Sequence, residues 1–158
     1  MLGDLLMEIN GQMTSITVEP PVPEGSQVGV EVASDVSGRV NGASLETHHV
    51  IIRPDGQTGH GGRHALINTA DGEAIQVYYP WGMGRATSPG TFTVKGCLTF
   101  STVSSDLEWL NDVLGVWEGT WDLANGSGTR PSMSGHTPTK RPERRRFTCA
   151  GIASDDRR

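Results

Sequence analysis

Positive charge is scarce in most of this chain. Residues 1–128 hold five Lys and Arg (Arg39, Arg53, Arg63, Arg85 and Lys95) against fifteen Asp and Glu, a balance of −10. A surface of that sign repels a phosphate backbone, so nucleic acid is not expected as a partner. Cysteine is scarce too: Cys97 and Cys149 are the two in 158 residues, too few for a disulfide framework. The opening stretch MLGDLLMEINGQM has neither a basic segment nor a long apolar run. Neither a signal peptide nor a membrane anchor is expected from it, and the reading that follows is a cytoplasmic chain with no membrane partner. Phosphate loops, dinucleotide fingerprints, nucleophile elbows and Cys-based redox motifs are all missing, so no cofactor is expected. Helical periodicity is almost missing as well.

What is abundant is turn chemistry. Twenty-one glycines and nine prolines in a chain long enough for one domain favour an all-β architecture. Val28, Val30 and Val32 alternate with Gly29, Glu31 and Ala33, the mark of a half-buried strand. Strands are expected over 46–53, 63–69 and 73–79, separated by the turns Asp55-Gly56 and Asp71-Gly72, in an antiparallel meander. Pro80-Trp81-Gly82-Met83-Gly84 is expected to end the last of these. Thr91 to Thr102 and Gly115 to Asp122 follow as strands, with a short helix or turn over Leu107–Asn111 between them. Six or seven strands of this kind predict a closed barrel or a sandwich. The last thirty residues change character. Residues 129–158 carry eight Lys and Arg against three Asp and Glu, and NGSGTRPSMSGHTPTKRPERRR has almost nothing apolar to bury. The division expected is therefore a barrel over 1–125 and a disordered basic tail over 126–158.

Four of the five histidines, all four tryptophans and both tyrosines lie between His48 and Trp121. Strand alternation limits which of them can act together. His49 and Arg53 share one face of their strand, His48 shares the other with Val50 and Ile52, and Arg63 and His64 point to opposite faces. Which face lines the interior is left open by the pattern. His60 and His64, with His48 or His49, could make a three-histidine zinc centre, but His60-x-x-x-His64 falls in a Gly-rich turn that does not place both rings on one face. No metal is assigned. Arg53 and Arg63 can equally pair with Asp55, Asp71 or Glu73 on neighbouring strands.

The order and spacing of five pieces resemble the domain-of-unknown-function 3237 family. They are Arg53-Pro54-Asp55-Gly56, Gly61-Gly62-Arg63-His64, Thr69-Ala70-Asp71-Gly72-Glu73-Ala74-Ile75, Phe100-Ser101-Thr102 and Trp109-Leu110-Asn111. The chain departs from the family pattern at His49, Gly61 and His64, and nothing after Asp122 reads as the family's closing strand. The resemblance implies a small antiparallel, calycin-like β-barrel that assembles as a homo-oligomer. It also implies, by likeness to members in natural-product pathways, a cofactor-free cyclase or isomerase. The reaction implied is addition of a phenolic hydroxyl across the alkene of a prenyl group on a small aromatic substrate. A barrel that only holds a small apolar ligand is the other reading.

Such a ring closure needs an acid, a guide for the phenol oxygen, and aromatic faces around the developing cation. Family positions favour His49, Arg53, Arg63 and the aromatics, and His64, the most interesting departure from the family pattern, is a further catalytic candidate. Glu118 joins them as the carboxyl on a tryptophan-flanked strand. Tyr79, Trp81, Thr102, Trp109 and Trp117 are the substrate-binding candidates, although Trp109 is as readily read as a plug at the barrel end.

Overall fold

A computed structural model describes residues 4–60, 63–123 and 125–136. The chain is all-β, built of β1 (Asp4–Val22), β2 (Gly25–Gly38), β3 (Gly42–Ile52), β4 (Gln57–His60), β5 (Arg63–Thr69), β6 (Ala74–Ser88), β7 (Thr91–Ser101), β8 (Leu114–Asp122) and β9 (Ser127–His136). One 3-10 turn, Glu108–Asp112, interrupts them. Every pairing is antiparallel, and pairing of β2 with β3 closes the sheet on itself. β4 and β5 lie end to end in one slot, each bridging β3 to β6. The result is the expected antiparallel barrel. Among the described residues, no helix is long and apolar enough to cross a membrane.

The strands follow the alternation of their side chains. In β2, Val30, Val32 and Val36 turn inward while Glu31 and Asp35 face water. In β7, Val94, Leu98 and Phe100 are buried and Lys95 and Thr99 exposed. Val36, Val94, Leu98 and Phe100 meet Leu6, Ile9, Ile67, Ile75, Val77, Tyr79 and Trp117 in a single core. Fully burying one such aliphatic or aromatic side chain contributes roughly 1.5–3 kcal/mol. One end of the barrel is plugged by the 3-10 turn, which drops Leu110 into the core. Asn111 staples that turn to the end of β7: its Nδ2 donates to Thr102 O at 3.0 Å, and its Oδ1 accepts from Thr102 N at 2.8 Å. Trp109 packs half-buried on the same end, with the Arg39 guanidinium carbon 4.3 Å from the centre of its ring.

Three local expectations change. β6 does not stop at Pro80. A register shift against β7 between Tyr78 and Trp81 absorbs the proline as a bulge, leaving Pro80 and Trp81 both outward, and pairing resumes to Ser88. β4 was not expected, because Gln57-Thr58-Gly59-His60 has no apolar alternation. The boundary at 125 also moves. Ser127–His136 is a strand, seated between β1 and β8, and it closes the ring. This polar segment is held by backbone hydrogen bonding on both edges, which requires no apolar side chain. Residues 137–158, the rest of the expected tail, lie outside the described residues.

Candidate functional site

At the end of the barrel away from the 3-10 turn, the interior opens. Met13, Val28, Val30, His48, Val50, Ile52, Thr58, Phe92, Val94, Trp121 and Leu123 surround a narrow cavity. The room for the centre of a water-sized molecule is about 40 Å³, and the whole void, mouth included, is about 490 Å³. His48, Thr58, Val30 and Val94 form a buried floor, while Met13, Ile52, Phe92 and Leu123 are half-buried around the mouth. The wall is apolar except at His48 and Thr58.

His48 does not stand alone. The inner face of β3 runs Ser44, Glu46, His48, and all three side chains are buried. His48 Nε2 lies 3.0 Å from Glu46 Oε2, with Glu46 fully buried and His48 at 4% exposure. The hydroxyls of Ser34 and Ser44 donate to the other oxygen, Oε1, at 3.3 and 3.1 Å. A carboxylate withdrawn from water needs such donors, because desolvation without them costs several kcal/mol. Aromatic rings enclose the imidazole: Tyr79 on one side and Trp121 edge-on, each with ring centres 6.0 Å away. Trp117 stands perpendicular to Tyr79 at 5.9 Å. The arrangement is a carboxylate–imidazole pair beside an apolar cavity with Phe92 and Trp121 in its wall, a pairing chemically able to hold and pass a proton.

The sequence candidates divide by face. Tyr79 and Trp117 lie inside, in the layer beneath the cavity. Thr102 is buried at the plugged end, with its Oγ1 donating to Ala74 O at 2.8 Å and accepting from Ser104 N at 3.2 Å, so its polar group serves the corner. Trp109 belongs to the plug. His49, His64, Trp81 and Glu118 are exposed on the outer surface, and Arg53 is exposed in the turn after β3. His49 Nδ1 meets Glu19 Oε1 at 2.8 Å, and Gln27 Nε2 donates to the other oxygen of Glu19. The His64 ring lies 5.1 Å from that of Tyr78, another exposed residue. Arg63 begins β5 opposite Tyr79; its side chain is outside the described part, as is that of His60. Among the described residues, no three His, Cys, Asp or Glu side chains are grouped as metal ligands.

The sequence reading does not single out Glu46, and it favours His49 over His48, whereas the structure buries Glu46 and His48 and exposes His49. The usable signal was the company His48 keeps: Val50 and Ile52 share its face, and two apolar neighbours mark an inner face more reliably than one histidine. Glu46 lies on that same alternation.

No family model matches the chain, and no curated protein matches it. Solved structures do. A β-barrel-like protein from Acinetobacter baumannii superposes with a TM-score of 0.71 at 16% identity, covering 86% of this chain and 96% of its own. A protein of unknown function from Clostridium acetobutylicum gives 0.69 at 18% identity, over 83% and 97% of the two chains. A structure described as an enzyme from Penicillium herquei gives 0.53 at 18% identity, over 84% and 96%. These likenesses show a shared barrel fold.

Proposed function

We propose that this protein is a cofactor-independent cyclase of small apolar phenols, closing an oxygen heterocycle by internal addition of the phenolic hydroxyl to an alkene. One observation carries the reading: the buried Glu46–His48 pair at the floor of a cavity whose one other polar lining residue is Thr58. The motif resemblance supplies the reaction class, and the barrel it shares with a structure described as an enzyme is compatible with it. The His48 imidazolium, held by Glu46, gives its proton to one alkene carbon. The phenol oxygen bonds to the other carbon, and the proton it sheds returns to the imidazole. An O–H bond and a C=C π-bond are lost, a C–H and a C–O bond are formed, and nothing is oxidised. Trp121 in the cavity wall and Tyr79 beside the imidazole would supply aromatic neighbours to positive charge developing near His48. The dry wall keeps water from capturing that charge.

Incubation of the purified protein with an ortho-geranylated phenol, whose closure creates a stereocentre, without metal or nucleotide, tests the reading. Accelerated formation of a single stereoisomer is expected. Racemic product at the rate seen without protein would sink the proposal. The alternative is a barrel that binds a small apolar ligand unchanged, favoured by the narrowness of the cavity. Tight binding with intact ligand after long incubation would be its signature.

A further inference from the structure

The apolar wall of the cavity does not stop at its mouth. Beyond the bulge after Met13, β1 continues beside β2 in the register Ile16 to Val30 and Val18 to Val28. Val28 and Val30 line the cavity, and Val30 pairs in turn with His48 on β3. Ile16, Val30 and His48 therefore form one cross-strand row on the inner face. The outward direction of the intervening residues agrees, since Glu19 reaches the outer His49 across Gly29. The β8–β9 hairpin, however, turns back at Asp122 and Ser127. Nothing among the described residues covers this part of the inner face: Ile16 is 52% exposed and Val18 84%. The barrel thus carries an apolar lip that begins at its reactive floor and runs outward into water.

We infer that this lip is a binding subsite for the apolar tail of the substrate, which makes the substrate class a phenol bearing a long hydrocarbon chain. The inference rests on the seating of the phenolic head at His48 proposed above. Two interstrand spacings separate His48 from Ile16, roughly 10 Å. A ligand with its hydroxyl at His48 must therefore extend about that far, ring and tail together, to cover Ile16 and Val18. The lip also resolves the mismatch of scale. The narrow enclosed space need hold only the reacting head, while the tail lies along the lip. A second copy of the chain could cover the same residues instead, because β1 from Ser15 to Val22 has β2 as its single strand neighbour among the described residues.

The test uses the full chain and para-alkylphenols with ethyl, butyl, hexyl and octyl tails, their affinity read by calorimetry. Saturated tails cannot cyclise, so binding is measured apart from chemistry. Affinity is expected to rise about two- to fourfold per methylene out to octyl, the upper figure being that of full burial. In the double variant Ile16→Ser, Val18→Ser that rise should flatten beyond butyl, with ethylphenol affinity unchanged. Both residues are exposed, and an unchanged unfolding midpoint confirms the variant's fold. Absence of binding by any member, a wild-type series that levels off at ethyl, or an unchanged slope in the double variant overturns the inference. So does a wild type that sediments as a dimer, with the variant a monomer of the same slope. Loss of ring closure with the slope intact would strike only the catalytic reading.

Discussion

Glu46 and His48 lie two residues apart on β3 and meet side by side on its inner face, carboxylate to imidazole at 3.0 Å, both closed off from solvent. Two residues is the repeat of a strand, so the adjacency is a direct consequence of sequence spacing. What turns it into a site is the barrel. Ser34, from the neighbouring strand, and Ser44 complete the carboxylate's hydrogen bonds, and Tyr79 and Trp121 enclose the imidazole.

Removing the carboxylate should cost stability. Glu46→Ala leaves the donors of His48, Ser34 and Ser44 facing a void, and loss of one partner of a buried pair typically costs about 3–5 kcal/mol. Urea unfolding followed by tryptophan fluorescence is expected to show a fall of that order. Glu46→Gln, which keeps the volume and an acceptor oxygen, should lose less than half as much.

The outer histidines should matter little. The His49–Glu19 pair is exposed on its histidine side, and such pairs contribute about 0–1 kcal/mol. His49→Ala and His64→Ala should therefore each shift the unfolding free energy by less than about 1 kcal/mol. A larger loss would mean that the outer face carries more of the fold than its exposure implies.

Trp121 depends on a glycine in the last strand. A Cβ on Gly128 would stand 2.5 Å from Trp121 Cε3. Gly128→Ala should push the indole into the cavity, shift its fluorescence, and destabilise by about 1–3 kcal/mol as an overpacked core does. Adding Trp121→Phe, a smaller ring, should recover most of the loss. Equal destabilisation in single and double variants would place the cause elsewhere.

The ninth strand gives a sharper cut. A chain ending at His136 should unfold cooperatively in circular dichroism. One ending at Asn125 strips pairing from one edge each of β1 and β8 and should lose that transition. A cooperative transition in both would restore the boundary at 125.

These cases also mark what the sequence could express. Val28, Val30 and Val32 announced β2, and Phe92, Val94, Leu98 and Phe100 announced β7, because each strand buries one face and its apolar residues recur at period two. β4 and β9 had no such voice. Gln57-Thr58-Gly59-His60 and Ser127–His136 are seated by backbone hydrogen bonds between strands that already exist, and that demand leaves little trace in side-chain type. The site suffered from a related ambiguity. His48-His49 offers one histidine to each face, and the apolar company of Val50 and Ile52 on the face of His48 is the one local mark of which is inside. A glutamate reads as a surface residue until the serines that satisfy it are brought over from another strand.

The most direct test of the central claim is the initial rate of ring closure of an ortho-prenylated phenol by wild type, Glu46→Gln, His48→Phe, His49→Ala and His64→Ala, with no metal or nucleotide added. If the Glu46–His48 pair moves the proton, Glu46→Gln should fall by about 10²–10⁴-fold and His48→Phe to the uncatalysed rate. The two outer-face variants should stay within a factor of two of wild type. Wild-type turnover in a folded Glu46→Gln or His48→Phe, or its loss in His49→Ala or His64→Ala, would contradict the account.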